Sequence, residues 1–317
     1  TELDRRKWVT FDTMCHRVAR ALDDRKGHLY RHVIVDECQD FGIPELTLVR
    51  ALAPEAEDDL YFCGDMGQQI FKAPFSWASV GLAIRGRSAR LKVNYRTTEQ
   101  IRRYADAILP LDFKSLDDED EPRDAISLMR GPNPRLSTVV TREEEVVTLT
   151  NWIDELVGAG FRPNEIAIFA RTKRVLQERG LRAVESAGQS ASFLNNDLDG
   201  VEGAVSLGTM HRAKGLEYRA VAVVGVEDGL VPLSTAMKQA IDDVDREVIL
   251  EQERQLLYVA MTRAREELLV LGSGRRCPFL RKPRRDALPD PQLPQDELFA
   301  LGDQELIVES SQIRGIS

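Results

Sequence analysis

The sequence predicts an α/β protein built on parallel sheets, and three observations carry that prediction. A β-branched apolar run, Val33-Ile34-Val35, stops abruptly at the adjacent carboxylates Asp36 and Glu37, as a buried strand does where it reaches the carboxyl edge of a parallel sheet. Short apolar strands of this kind recur along the chain, separated by stretches with helical spacing of apolar residues. From 126 to 195 strand and helix patterns alternate, the rhythm of a second parallel α/β unit.

With 317 residues the chain suits two domains, each large enough to bury a core. An apolar fraction of 43% and a charged fraction of 30% are those of a soluble globular protein. No apolar run approaches the ~20 residues of a membrane helix, and no signal peptide opens the sequence. Cys15, Cys38, Cys63 and Cys277 are scattered without a Cys-x-x-Cys pair, which reads as reduced thiols in a cytoplasmic protein. A net charge of −9 argues against a protein that coats nucleic acid indiscriminately, while leaving room for a narrow basic track.

Taken in order, residues 8–22 space Phe11, Met14, Cys15, Val18, Ala19 and Leu22 as a helix with Thr10 or Asp12 as N-cap, whose expected role is core packing. After the strand at 33–35, a phosphate-hydrolysing site would use Asp36 to hold a magnesium–nucleotide complex and Glu37 to deprotonate the attacking water; a strand meeting a solvated loop looks the same. Pro44 to Leu52 reads as a helix with proline in its first turn. Leu60 to Cys63 is a second short strand, and Gly64 lets the chain turn so that Asp65 and Gln68 lie at the same sheet edge. A neutral amide at Gln68 can sense a γ-phosphate without adding charge. Phe75 and Trp77 are either local core or a platform for stacking a base. Leu91 to Val93 is a strand, and Tyr95-Arg96 at its end offers a flat ring for a purine and a fixed cation for a phosphate, or a surface ion pair. A helix runs from about Glu99 to Leu109. Residues 117–122 are an acidic loop without the spacing of a calcium site.

Thr141 to Gly158 is a helix opened by a capping box, Ile166 to Phe169 a strand, and Thr172 to Ala187 another helix. Beyond a strand ending at Thr209, the cluster Thr209, His211, Arg212 and Lys214 suits phosphate contacts. The strand Ala220 to Gly225 follows. Glu247 to Glu266 reads as a long helix carrying Arg254, Arg263 and Arg265, with Leu268 to Leu271 as the closing strand. The stretch 276–295 is rich in proline and arginine and reads as an irregular tail.

Five blocks, in this order, resemble the UvrD/Rep/PcrA family of superfamily 1 DNA helicases. They are Val35-Asp36-Glu37-Cys38-Gln39-Asp40, Gly64 to Phe71, Asn94-Tyr95-Arg96-Thr97, Thr209 to Tyr218, and Leu257 to Glu266. The resemblance implies two RecA-like domains of the P-loop NTPase fold, the first incomplete, with ATP and Mg2+ in the cleft between them. It divides the chain into 1–88 (the end of the first domain, with the last of its helical insertion at 8–22), 89–275 (the second domain) and a 276–317 tail. It makes Asp36 the magnesium-side acid, Glu37 the general base, Gln68 the γ-phosphate sensor, and Arg96 and Arg263 arginine fingers. Tyr95 would stack on the adenine, Glu217 take the ribose hydroxyl, and Thr209 and His211 face the DNA backbone. The implied activity is ATP-driven movement on single-stranded or partly duplex DNA, with DNA repair as the broad setting. The alternative is an ATPase switch or nucleic-acid-binding subunit of a larger repair or defence complex.

Three departures from the family pattern matter. No Gly-x-x-x-x-Gly-Lys-[Ser/Thr] loop occurs in the 317 residues, so an amino-terminal portion carrying it is expected to be missing and the residues alone are expected to be inactive on ATP. Only about a hundred residues separate Arg96 from Val205, leaving little or no accessory insertion. The family's base-stacking tryptophan would fall at Ala73, leaving Phe75 or Trp77 as substitutes.

Overall fold

The computed structural model of the protein describes residues 5–6, 8–25, 27–56, 58–65, 77–84, 86–89, 91, 93–109, 126–194 and 201–280. All belong to one compact unit, Thr1–Arg281. Gln68, Phe75, the acidic loop at 117–122 and the tail beyond 280 lie outside the described residues.

The first strands form a small sheet. Helix α1 (Phe11–Asp23) is capped by the Thr10 hydroxyl, which accepts from the Thr13 N–H at 3.2 Å. Strand β1 (Val33–Val35), helix α2 (Ile43–Arg50) and strand β2 (Leu60–Phe62) follow, with β1 and β2 parallel and Ile34 opposite Tyr61. Alternation along the strands sends Val33, Val35, Leu60 and Phe62 into a core with Leu46, Val49, Trp77 and Leu82. The opposite face carries Ile34 and Tyr61, both largely exposed. Helix α1 does less core packing than its periodicity predicts. It meets α2 through the small residues Cys15 and Ala19, while Phe11, Met14 and Val18 stay exposed on its outer side.

Strand β3 (Val93–Asn94) pairs in parallel with β4 (Ile126–Ser127), and helix α3 (Glu99–Asp106) leaves β3 after a short turn. The main sheet has six parallel strands: β5 (Arg135–Val139), β6 (Ile166–Ala170), β7 (Ser190–Phe193), β8 (Ala204–Thr209), β9 (Tyr218–Val224) and β10 (Ala264–Ser273), in the spatial order β5-β10-β9-β6-β8-β7. Strands β6, β8 and β9 are buried almost throughout, the signature of a sheet covered on both faces. One apolar layer joins α3 to helix α5 (Asp243–Met261); the other lies under helix α4 (Arg142–Gly158) and the helical run 173–186. Helix α4 starts with the predicted box: the Thr141 hydroxyl accepts from Glu144 N–H at 3.1 Å, and the Glu144 carboxylate accepts from Thr141 N–H at 3.4 Å.

The run 173–186 is not a uniform helix. Its middle, Leu176–Leu181, widens to π-helical turns that carry Arg179 into the interior. Arg179 donates to Glu145, and to both Glu227 oxygens at 2.9 Å; Glu145 also accepts from Gly225 N–H at 2.7 Å, and Glu227 from the Ser273 N–H and hydroxyl at 2.8 Å. One guanidinium thereby ties α4, the bent run and the ends of β9 and β10 together.

Two sequence expectations are corrected here. The long helix does not reach Glu266 but ends at Met261, because Ala264 already pairs with Tyr218 of β9 and Tyr218 N–H donates to the Arg263 carbonyl at 3.0 Å. Strand pairing overrides a helix-compatible sequence, and Arg263 sits in the turn. The tail expected from 276 is packed at its start, where Cys277, Phe279 and Leu280 join the core.

Candidate nucleotide cleft

Strand β1 ends at Asp36, and the chain then makes a left-handed turn at Glu37 (φ 53°), which throws both carboxylates outward at the sheet's carboxyl edge. An Asp36 oxygen accepts from Glu37 N–H at 2.8 Å and from the Cys63 thiol at 3.3 Å. Burial is the main force raising the Cys38 thiol to about 11; Cys63 is also raised, first by its bond to Asp36. Both cysteines are therefore neutral neighbours of the acids. The Glu37 carboxylate accepts from the side-chain amide of Gln39, which is itself buried.

Lys214, in the turn between β8 and β9, reaches into this acidic corner. Its ammonium pairs with Asp40 and lies 3.8 Å from Glu37, with 11% of the side chain exposed. Opposite charge holds Lys214 on these carboxylates.

Arg263 is buried. It donates to the carbonyls of Val259 at 3.1 Å and Leu216 at 3.4 Å, and to the Thr262 hydroxyl at 3.2 Å. Burial lowers its pKa, and the like charge of Arg96 adds to this, against the pull of Asp65, Tyr258 and Glu37. It stays cationic, as arginine does in proteins. Arg96 stands at the end of β3, where the Asn94 side chain accepts from the Arg96 and Thr97 N–H groups at 2.8 and 3.2 Å and fixes the turn. Its guanidinium pairs with Glu217 at 2.9 Å, and Arg265 approaches the same carboxylate at 3.7 Å. Tyr95 beside it is exposed. The structure thus brings Arg263 within electrostatic reach of Glu37 and Asp65, with the like charge of Arg96 nearby.

At the ends of β6 and β8 lies a second group. Arg171, one residue past β6, grips Glu253 of α5 with three contacts between 2.6 and 3.0 Å. His211 lies beside this pair, its pKa lowered first by burial and then by Arg171, with Glu253 opposing. Thr209 ends β8 directly before it. Trp77 is placed otherwise than a stacking platform requires: it is 6% exposed and meets the ring of Phe62 edge-on at 5.2 Å, so it belongs to the core.

Sequence reasoning missed the Gln39 amide, the long-range ion pair of Lys214 and the Arg171–Glu253 pair. Arg171 could have been found, since it directly follows a strand. Nothing local announces the other two. For a magnesium–nucleotide complex the donor chemistry fits: Mg2+ takes one or two carboxylates and otherwise phosphate oxygens and water, and Asp36 presents an exposed hard oxygen donor.

An all-parallel α/β sheet with charged groups gathered at its carboxyl edge defines the class, a RecA-like fold. Residues 186–273 match the UvrD-like helicase C-terminal domain, and the chain is similar over part of its length to helicases named PcrA and Rep. It is 43% identical over 83 residues to the ATP-dependent DNA helicase PcrA of Leuconostoc citreum, covering 25% of this chain and 10% of that protein. Over a longer stretch of 188 residues it is 29% identical to the ATP-dependent DNA helicase Rep of Salmonella typhimurium, covering 58% of this chain and 24% of that protein. The chain therefore spans a quarter or less of the length of these two relatives. Among solved structures, the C-terminal domain of a possible DNA helicase from Lactobacillus plantarum is similar at 20% identity and a TM-score of 0.43, covering 61% of this chain and 96% of that one.

Proposed function

We propose that this chain supplies the carboxylate and guanidinium sides of the ATP cleft in a UvrD-type DNA translocase. The observation that carries the reading is the corner at the end of β1, where Lys214 meets Asp40 and Glu37 and where the charges of Glu37 and Asp65 act on the buried Arg263. Residues 1–88 then act as the end of a first RecA-like domain and 89–275 as the second.

In this reading Glu37 takes the proton of the attacking water, and Asp36 holds the nucleotide-bound Mg2+, which neutralises phosphate charge. Arg96 and Arg263 stabilise charge on the transferring phosphoryl group, and Gln68 senses it. A finger of this kind is worth about 10³–10⁵ in rate. Glu217 leaves Arg96 to take the ribose, while Tyr95 stacks on the base. Lys214 leaves Glu37 when the nucleotide enters, since one carboxylate cannot serve a cation and activate water together. Closure of the cleft on ATP and its reopening move Thr209 and His211, on the DNA side, relative to the first lobe. The phosphate cradle comes from sequence outside these 317 residues, so turnover requires a P-loop-bearing polypeptide joined to them.

The test is DNA-stimulated ATP hydrolysis by the P-loop-containing protein. Glu37→Gln should lower it by about 10²–10⁴ and leave single-strand affinity intact. Undiminished hydrolysis overturns the assignment. Affinity for single-stranded DNA should fall with salt at a log–log slope of about −0.7 per phosphate contacted. Hydrolysis without strand displacement would favour the switch reading over the motor.

A further inference from the structure

The Gln39 side chain spans the two turns that end β1 and β2. Its amide nitrogen donates to Glu37, and its amide oxygen accepts from Asp65 N–H at 3.1 Å. The two contacts have opposite polarity, so the amide orientation is fixed: a carboxylate needs the NH2 group and a peptide N–H needs the oxygen. Gln39 is 1% exposed, so the amide itself is buried although both bonds reach partly exposed partners. A backbone bond runs alongside, from Cys38 N–H to the Cys63 carbonyl at 3.0 Å.

Gly64 makes the approach feasible. A Cβ there would fall 2.2 Å from the Gln39 amide oxygen, 2.8 Å from the Cys38 sulfur and 3.0 Å from the Cys38 backbone nitrogen. Any other residue at 64 would push the amide off Asp65.

We infer that Gln39 is a positioning residue for the general base, coupling the Glu37 carboxylate to the turn at Gly64-Asp65. The inference rests on the ATPase reading above and deepens it. Glu37 is otherwise held loosely: its side chain is 55% exposed and its other charged neighbour, Lys214, stands at 3.8 Å. The Gln39 amide restricts the carboxylate to one direction and leaves its other lone pairs for water. The same amide makes a shift of the chain leaving Asp65, towards Gln68 three residues on, a shift of the base. Events at the phosphate sensor are thereby transmitted to the acid.

Two measurements test this. In the 317-residue chain, Gln39→Met should accelerate hydrogen exchange at the Asp65 N–H at least tenfold, with exchange in β6 and β9 unchanged. In the P-loop-containing protein, Gln39→Met should lower kcat by about 10²-fold with KM for ATP changed less than about threefold, as loss of orientation alone predicts. Should Gln39→Met fail to fold, Gln39→Asn, a methylene too short to span both turns, serves with the same expectations. An unchanged kcat in either variant, while Glu37→Gln abolishes turnover, overturns the positioning role alone. Full turnover in Glu37→Gln overturns the ATPase reading beneath it. A matched loss of kcat and thermal stability with unchanged exchange at Asp65 makes Gln39 structural and also overturns the inference.

Discussion

Replacing Arg179 by methionine perturbs a deeply buried cluster of charges. Arg179 is 1% exposed, Glu145 fully buried and Glu227 9% exposed. Methionine fills much of the volume but removes the guanidinium that donates to both carboxylates. Breaking a buried ion pair from one side costs about 3–5 kcal/mol, because the remaining charge is left uncompensated. The loss should fall in that range, since Glu145 keeps Gly225 N–H and Glu227 keeps both Ser273 donors.

The pH dependence follows from the two carboxylates. Burial pushes Glu145 up, against Arg179 and the Gly225 N–H; Glu227 is also pushed by burial, but Arg179 and Ser273 outweigh it and hold its pKa low. A depressed Glu227 contributes stability above the unfolded carboxyl pKa of about 4.3, and that contribution is lost as pH falls through the folded value. The raised Glu145 has the opposite sign and costs stability as pH rises above the unfolded value. Without Arg179 both carboxyls move up, so the mutant's deficit should be largest near about pH 7.5 and shrink towards about pH 5 as they protonate. Urea unfolding of both proteins at the two pH values measures it. A deficit below about 1 kcal/mol at the higher pH, or one that does not change with pH, refutes the argument.

Three further outcomes follow from the cleft and its surroundings. Arg263→Lys, which keeps the charge but not the planar fork, should reduce DNA-stimulated ATP hydrolysis by at least about 10²-fold with single-strand affinity unchanged; an active variant removes Arg263 from the phosphates. Trp77→Ala should destabilise by about 3–5 kcal/mol in denaturant unfolding and leave single-strand affinity of the folded protein intact, whereas a selective loss of affinity would return Trp77 to the DNA. A double-mutant cycle on Lys214→Met and Asp40→Asn should give a coupling of about 1 kcal/mol in unfolding free energy at low salt, and a vanishing coupling would mean the long-range pair is not formed in solution.

Much of this was legible in the sequence. The strand ends near Asp36, Asp65 and Thr209 were visible because short apolar runs that stop at polar turns mark the carboxyl edge of a parallel sheet. The box at Thr141 was visible because it is local chemistry. The end of the long helix was not, since Leu257 to Glu266 satisfies helical spacing and only the pairing of Ala264 with Tyr218 ends it. Trp77 was ambiguous for a similar reason: an aromatic in a loop reads alike whether it faces a base or Phe62. Gln39 and Lys214 act through partners 26 and 174 residues away, a separation that no local pattern encodes.

The left-handed backbone at Glu37 has a consequence for how substitutions there should be read. A residue with a Cβ held at φ 53° gives up about 1–2 kcal/mol that glycine or asparagine would largely recover. Screening this chain for thermal tolerance alone should therefore enrich replacements at position 37, and the enriched variants should be the ones that no longer carry an acid. Robustness and chemistry pull against each other at a single torsion angle.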